Sequence, residues 1–137
     1  MEYRVLRGTG ATVSRVCLGT MTFGEQADEA TSIRMVDAAI DSGVNFIDTA
    51  DAYVGGKSEE ITGKALKGKR DGIILASKVF NQSGPDKNRD RGLHRWHVIR
   101  GVEASLKRLQ VDCLDICYMH RPDRKTPIEE TLAAFDS

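Results

Sequence analysis

What this chain has little of narrows it first. It has 20 Lys plus Arg and 20 Asp plus Glu, so there is no excess charge of either sign. Without a basic surplus the electrostatic footprint of a nucleic-acid or anionic-membrane binder is missing, and a small or neutral partner is favoured. No apolar run approaches the length needed to span a bilayer. The opening MEYRVLRGTG sets two arginines and a glutamate where a secretory leader would need an apolar stretch, so the expected location is the cytoplasm. Cysteine is sparse and odd in number: Cys17, Cys113 and Cys117 form no disulfide framework and are expected to be buried, reduced thiols. A GxGxxG turn after the first strand, the mark of a doubly wound dinucleotide-binding sheet, is also missing.

What is present is ordinary globular material, 40% hydrophobic and 29% charged, arranged in a regular alternation over 137 residues. YRVLR and VSRVCLG, separated by Gly8, Thr9 and Gly10, read as a hairpin leading into a first strand. Asp28 to Ser42, with Ile33, Val36 and Ile40 three and four apart and Gly43 behind them, reads as an amphipathic helix with a glycine stop. Val44 to Ala50 is a short apolar run ending in polar residues, as expected of a strand covered on both faces. Ser58, followed by Glu59 and Glu60, is a candidate cap for a helix to about Lys67, and Ile73 to Val79 is the next strand.

A polar loop, Asn81 to Arg95, leads into a helix in which Ile99, Val102, Leu106 and Leu109 share a face; His94 is a poor residue for its cap. Cys113 to His120 gives another strand, and Thr126 to Glu129 reads as a capping box with Pro127 at the first helical position. Four βα units after a hairpin imply a parallel sheet with right-handed crossovers. An eight-unit barrel needs about 250 residues. The expected fold is therefore α/β, the N-terminal half of a (β/α)8 TIM barrel in one partial domain, residues 1–137, whose open half-barrel edges invite a homo-oligomer.

In such a barrel the chemistry lies at the C-terminal strand ends. Asp48 ends the second strand, Lys78 the third and His120 the fourth, while Tyr53 follows the second in its loop. Each has a plain alternative: a helix cap, a snorkelling lysine, a rim histidine, an amphipathic aromatic. Four at one rim argue instead for mutual compensation around a polar site, because each would be costly if buried alone. Asp115, low in the fourth strand, is expected to serve stability. His94 and His97 lack a third ligand for a metal and are expected at the loop and helix surface. The loop Asp86 to Arg91 is expected to be solvated and of a length to cover a site mouth.

NFIDTADAY (45–53), ASK (76–78), EASLKRLQVD (103–112) and HRPD (120–123), begun by YRVLRGTGATVSRVCLGTMTFG (3–24), resemble the signature segments of the aldo-keto reductase family. GTMTFGEQ, DRGLHRWHVI and HRPDRKTPIEET are most similar to the branch that holds the potassium-channel β subunits and related bacterial reductases. The resemblance covers the first half of the family's domain. It implies a barrel enzyme reducing a small carbonyl substrate, an aldehyde or ketone, with NADPH. Tyr53 would be the general acid, Lys78 and Asp48 its tuning pair, and His120 the group that orients the substrate oxygen. Asp48, Thr20, Met21 and Gln26 match positions beside the nicotinamide and ribose. The channel subunits carry Asn where this chain has His120, which favours a reductase over a channel accessory protein; the alternative reading is a catalytically inactive half-barrel or a channel-β-like interaction module.

Overall fold

The computed structural model describes all residues, 1–137. A two-stranded antiparallel hairpin, β1 (Tyr3–Val5) and β2 (Thr12–Ser14), precedes a four-stranded parallel sheet in the order β3 (Leu18–Gly19), β4 (Phe46–Asp48), β5 (Ile74–Val79), β6 (Ile116–Met119). Helices α1 (Glu29–Asp41), α2 (Lys57–Leu66) and α3 (Arg95–Leu109) connect the strands in turn, and α4 (Ile128–Phe135) follows β6. Neighbouring strands are also neighbours in sequence, the order expected of a partial α/β barrel.

Period-two alternation sorts the strand residues. Ile47, Leu75 and Val79 are buried toward the helices, whereas Cys17, Gly19, Phe46, Asp48, Lys78 and Tyr118 line the concave opposite face. The helix-side core is one cluster, in which Phe23, Val36, Ile47, Ile61, Leu66, Leu75 and Leu109 are all 0–2% exposed. A second cluster, Val79, Leu93, Val98 and Ala134, seats α3 and α4. At about 25 cal/mol per Å² of apolar area buried, these faces supply the main drive for folding.

Local signals explain most boundaries. Asp28 caps α1 by accepting from the Thr31 amide at 2.7 Å, and Gly43 stops the helix at φ +86°. Gly63 lets α2 and α3 touch, because a Cβ there would lie 2.2 Å from the Leu109 carbonyl oxygen. Between the same helices Glu59, fully buried, accepts from Arg108 Nε at 2.7 Å and from Ser77 Oγ of β5 at 2.6 Å. The ion pair thus ties two helices to the strand that carries Lys78. At the opposite end, Asp115 accepts from Arg70 and from the Leu75 amide, in agreement with its expected structural role.

Several expectations need correction. Cys17 and Cys113 are exposed and Cys117 is only half-buried. Cys113 lies in the turn before β6, and Cys17 faces the uncovered side of the sheet. Ser58 lies inside α2, whose N-cap is Gly56, because its hydroxyl is used across the sheet rather than along the helix. His94 does cap α3: its Nδ1 accepts from the His97 amide at 3.4 Å. His97 itself is 2% exposed and not on the helix surface. At α4, Pro127 is the N-cap rather than the first helical residue, and no side chain caps it, since Thr126 donates to Asp123 instead.

Candidate active site

The sheet delivers its polar residues to one rim, and backbone hydrogen bonds extend the ladder past the regular strands. Thr49 N and Asp51 N donate to the carbonyls of Ala76 and Lys78, Thr20 N to that of Asp48, and His120 N to that of Val79. The chain then turns sharply. Val54, at φ 49° and ψ 42°, and Gly55, at φ 61° and ψ 28°, are both left-handed within the turn Tyr53–Gly56. A β-branched residue in that region is strained by roughly 1–3 kcal/mol, and the strain sits beside Tyr53.

Lys78 is the hub. Its Nζ donates to Asp48 Oδ1 at 2.5 Å, to the Thr49 carbonyl at 2.6 Å and to Tyr53 Oη at 3.0 Å, and it stands 4.7 Å from the Tyr53 ring centroid. The His120 ring meets Tyr53 edge-on, centroids 5.8 Å apart at 87°. The four residues expected together from the sequence are together. Burial works against the ammonium of Lys78, but hydrogen bonds and charge from Asp48 and Tyr53 outweigh it and hold the pKa above its usual value. His120 is pushed down, first by burial and then by Lys78 and Arg121, so its ring is neutral at pH 7. Asp48, Lys78 and His120 border a cavity of about 510 Å³ on the concave face, also lined by Cys17, Phe46 and Tyr118. The Cys17 thiol, exposed at its surface but partly desolvated by the sheet face around it, is pushed up to about 11 by that desolvation and by Asp48, against the pull of Lys78; the shift disfavours thiolate at neutral pH.

Thr20, Met21 and Gln26 do not join this group. Thr20 is buried, its hydroxyl bonded to Ser58 Oγ at 2.9 Å, while Met21 and Gln26 are exposed in the turns after β3. Thr20 touches the group only through the Asp48 carbonyl, which accepts from its amide at 3.0 Å and its hydroxyl at 3.3 Å; Met21 and Gln26 form no hydrogen bond with Asp48, Tyr53, Lys78 or His120.

Two residues that the sequence did not single out belong beside the site. Asn81 Nδ2 lies 3.0 Å from His120 Nδ1. Its only signal was position, three residues past Lys78 at the mouth of the loop. Asp51 is 4% exposed, and neither carboxyl oxygen has a well-formed hydrogen bond. Burial, aided by the Glu59 charge, raises its pKa to about 7. The polar run DTAD hid it, since such a residue is ordinarily solvated.

Residues 15–137 match the model of the Aldo/keto reductase family. Among similar proteins are a "Probable voltage-gated potassium channel subunit beta" of Arabidopsis thaliana, 42% identical over 99% of this chain and 42% of its own length, and "Aldo-keto reductase YhdN" of Bacillus subtilis (strain 168), 46% identical over 96% and 41%. Of solved structures, aldo-keto reductase AKR11C1 from Bacillus halodurans (holo form) superposes with a TM-score of 0.88 at 36% identity, over 99% of this chain and 45% of that one. The chain thus spans less than half the length of the relatives it matches. Its sheet and helices are part of an α/β barrel, its relatives include oxidoreductases, and the chain belongs to the aldo/keto reductase family.

Proposed function

We propose that this chain carries the proton-transfer machinery of an NADPH-dependent oxidoreductase that reduces aldehydes or ketones to alcohols. The observation that supports this most is Lys78, which donates to Asp48 and Tyr53 together while the His120 ring stands edge-on to the phenol. An ordinary tyrosine, with a pKa of about 10, is a weak acid at neutral pH. An ammonium 3.0 Å from its oxygen stabilises the phenolate left behind and so makes Tyr53 a better donor. Asp48 and the Thr49 carbonyl keep that ammonium charged and aimed. With Asn81 Nδ2 donating to Nδ1, the neutral His120 ring keeps its proton on Nε2, free to donate to the substrate oxygen. Tyr53 gives its proton to that oxygen and afterwards recovers one from solvent.

The nicotinamide end of the cofactor fits what is present. The concave cavity of about 510 Å³ reaches Asp48 and Lys78, and Gly19 presents no side chain there, with open space where a Cβ would be. When bound, NADPH supplies the hydride. Asp48 would border it on one side, with the backbone around Thr20, Met21 and Gln26 as further expected contacts. No glycine-rich turn for its phosphates occurs among these residues, which makes the choice of NADPH over NADH part of the proposal. The partner proposed is a small carbonyl compound. Self-association through the outer edges of β3 and β6, which pair with nothing, and a cytoplasmic location complete the reading. No helix is long and apolar enough to cross a membrane.

The test is Tyr53→Phe in a complete barrel that contains this half. Turnover with a small aldehyde should fall by about 10²-fold or more while cofactor affinity stays within a factor of two or so, because the phenol acts only in the transition state. Unchanged turnover would remove Tyr53 as the acid.

A further inference from the structure

Charge is balanced over the whole chain, but not locally. The loop after β5 (80–94) and the loop after β6 (120–127) together carry six Lys or Arg against three Asp. A cleft of about 500 Å³ runs between them, and Lys87, Arg91, Arg124 and Lys125 line it. None of these four forms an ion pair with the chain, whereas eight other Lys or Arg residues do. The single acid in the lining, Asp123, is already engaged. It accepts from the Leu93 amide at 2.8 Å, the Lys125 amide at 2.9 Å and Thr126 Oγ1 at 2.9 Å. It therefore builds the wall rather than neutralising the cleft.

That wall is a fixed one. Gly92 donates to the Phe80 carbonyl at 2.8 Å and sits at φ +94°, where a Cβ would come 2.7 Å from Asp123 Oδ2. Thr131 of α4 donates to the Leu93 carbonyl, and Glu130 accepts from the Arg95 amide. Four unpaired cations converging on a rigid cleft repel one another, a cost that a bound anion relieves. The cleft also adjoins the proposed catalytic group. Phe80, in its lining, precedes Asn81, which bonds His120, and Pro122, also in the lining, stands two residues after His120.

We propose that this cleft binds an oxyanion, a phosphate or carboxylate group, and that the carbonyl compounds used at the neighbouring site carry such a group. The second half of the statement rests on the reductase reading; the first does not. Lys87 and Arg91 approach the anion from one loop, Arg124 and Lys125 from the other, so a ligand held by both loops lies alongside the Asn81–His120 pair.

The test has a binding arm and a turnover arm. Inorganic phosphate, and separately malonate, is titrated into the protein and followed by backbone amide NMR, with sodium chloride at matched ionic strength as reference. Saturable shifts confined to 87–92 and 121–126, lost in the doubly exposed variant Arg124→Glu/Lys125→Glu with unchanged circular dichroism, are the expected result. The stronger of the two anions names the group. Shifts equal to those with chloride, or unaffected by the double variant, overturn the site. In the turnover arm, run on a complete barrel that contains this half, glyceraldehyde 3-phosphate is compared with glyceraldehyde. The preference in kcat/KM for the phosphorylated substrate should drop about tenfold in the double variant, the scale of losing two exposed ion pairs, with the neutral substrate unaffected. Reduction of both aldehydes with no such preference refutes the substrate class and leaves the reductase reading intact. Reduction of neither, beside saturable phosphate binding, refutes the reductase reading and leaves the anion site.

Discussion

Replacing Asp51 by Asn should stabilise the chain, and by an amount that grows with pH. The carboxyl is 4% exposed, neither oxygen has a well-formed hydrogen bond, and its pKa is raised from 3.8 to about 7 by burial and by Glu59, against the opposing pull of Arg108 and of the nearby Ala52 and Phe80 amides. The folded value lies above the unfolded one, so folding takes up a proton in the interval between them. Well below pH 4 Asp51 is protonated in both states and its ionisation costs nothing. Stability is lost as pH rises through that window, and the full penalty is present above pH 7. A shift of about three units at 1.36 kcal/mol each corresponds to about 4 kcal/mol, an upper figure for one buried carboxyl. Asn keeps the shape without the charge. Urea unfolding at pH 5 and pH 8 should therefore show Asp51→Asn gaining about 2–4 kcal/mol over the parent at pH 8 and clearly less at pH 5. An equal difference at both pH values would refute the reasoning, since a packing or hydrogen-bond effect carries no such slope.

Further outcomes follow from the geometry. Asn81→Asp should place an acceptor against His120 Nδ1, raise the imidazole pKa and move its proton from Nε2 to Nδ1; side-chain 15N NMR reads both changes, and an unaltered ring would remove Asn81 as its partner. Gly63→Ala should destabilise the fold by roughly 1–3 kcal/mol in urea unfolding, because its Cβ would lie 2.2 Å from the Leu109 carbonyl oxygen and backbone must move; a cost under about 0.5 kcal/mol would mean that the helices part easily. The 137-residue chain by itself should associate on size exclusion with light scattering and reduce no aldehyde at an appreciable rate, since the outer edges of β3 and β6 are open ladders. An active monomer would contradict that.

Much of the fold was legible because its signals are local and periodic. Ile33, Val36 and Ile40 mark α1, and the apolar runs before Asp48 and Lys78 mark strands buried toward the helices. The four rim residues were legible for a related reason: an ionisable residue ending an apolar run stands at a strand's C-terminal end, where a barrel keeps its chemistry. What could not be read depends on partners distant in sequence. Ser58 looks like a cap until Thr20 is placed next to it, and Thr126 looks like one until Asp123 claims its hydroxyl. Cys17 reads as a core thiol because a short strand does not reveal which face of the sheet is covered. His97 and Asp51 are polar residues that burial overtakes, and composition alone gives no sign of it.

The Glu59–Arg108–Ser77 contact has a bearing on how this site could fail. Ser77 and Lys78 are consecutive, so they point to opposite sides of β5, and fastening the first fixes the rotation of the second. Removing Glu59 would leave the partly exposed Arg108 charge without its buried counterion on the helix side, a loss below the roughly 3–5 kcal/mol of a wholly buried pair. It would also free the strand to twist, and the ammonium at 3.0 Å from Tyr53 would drift out of reach. A lesion on the outside of the barrel would then present as a poor acid within it, with the phenol intact and its tuning lost.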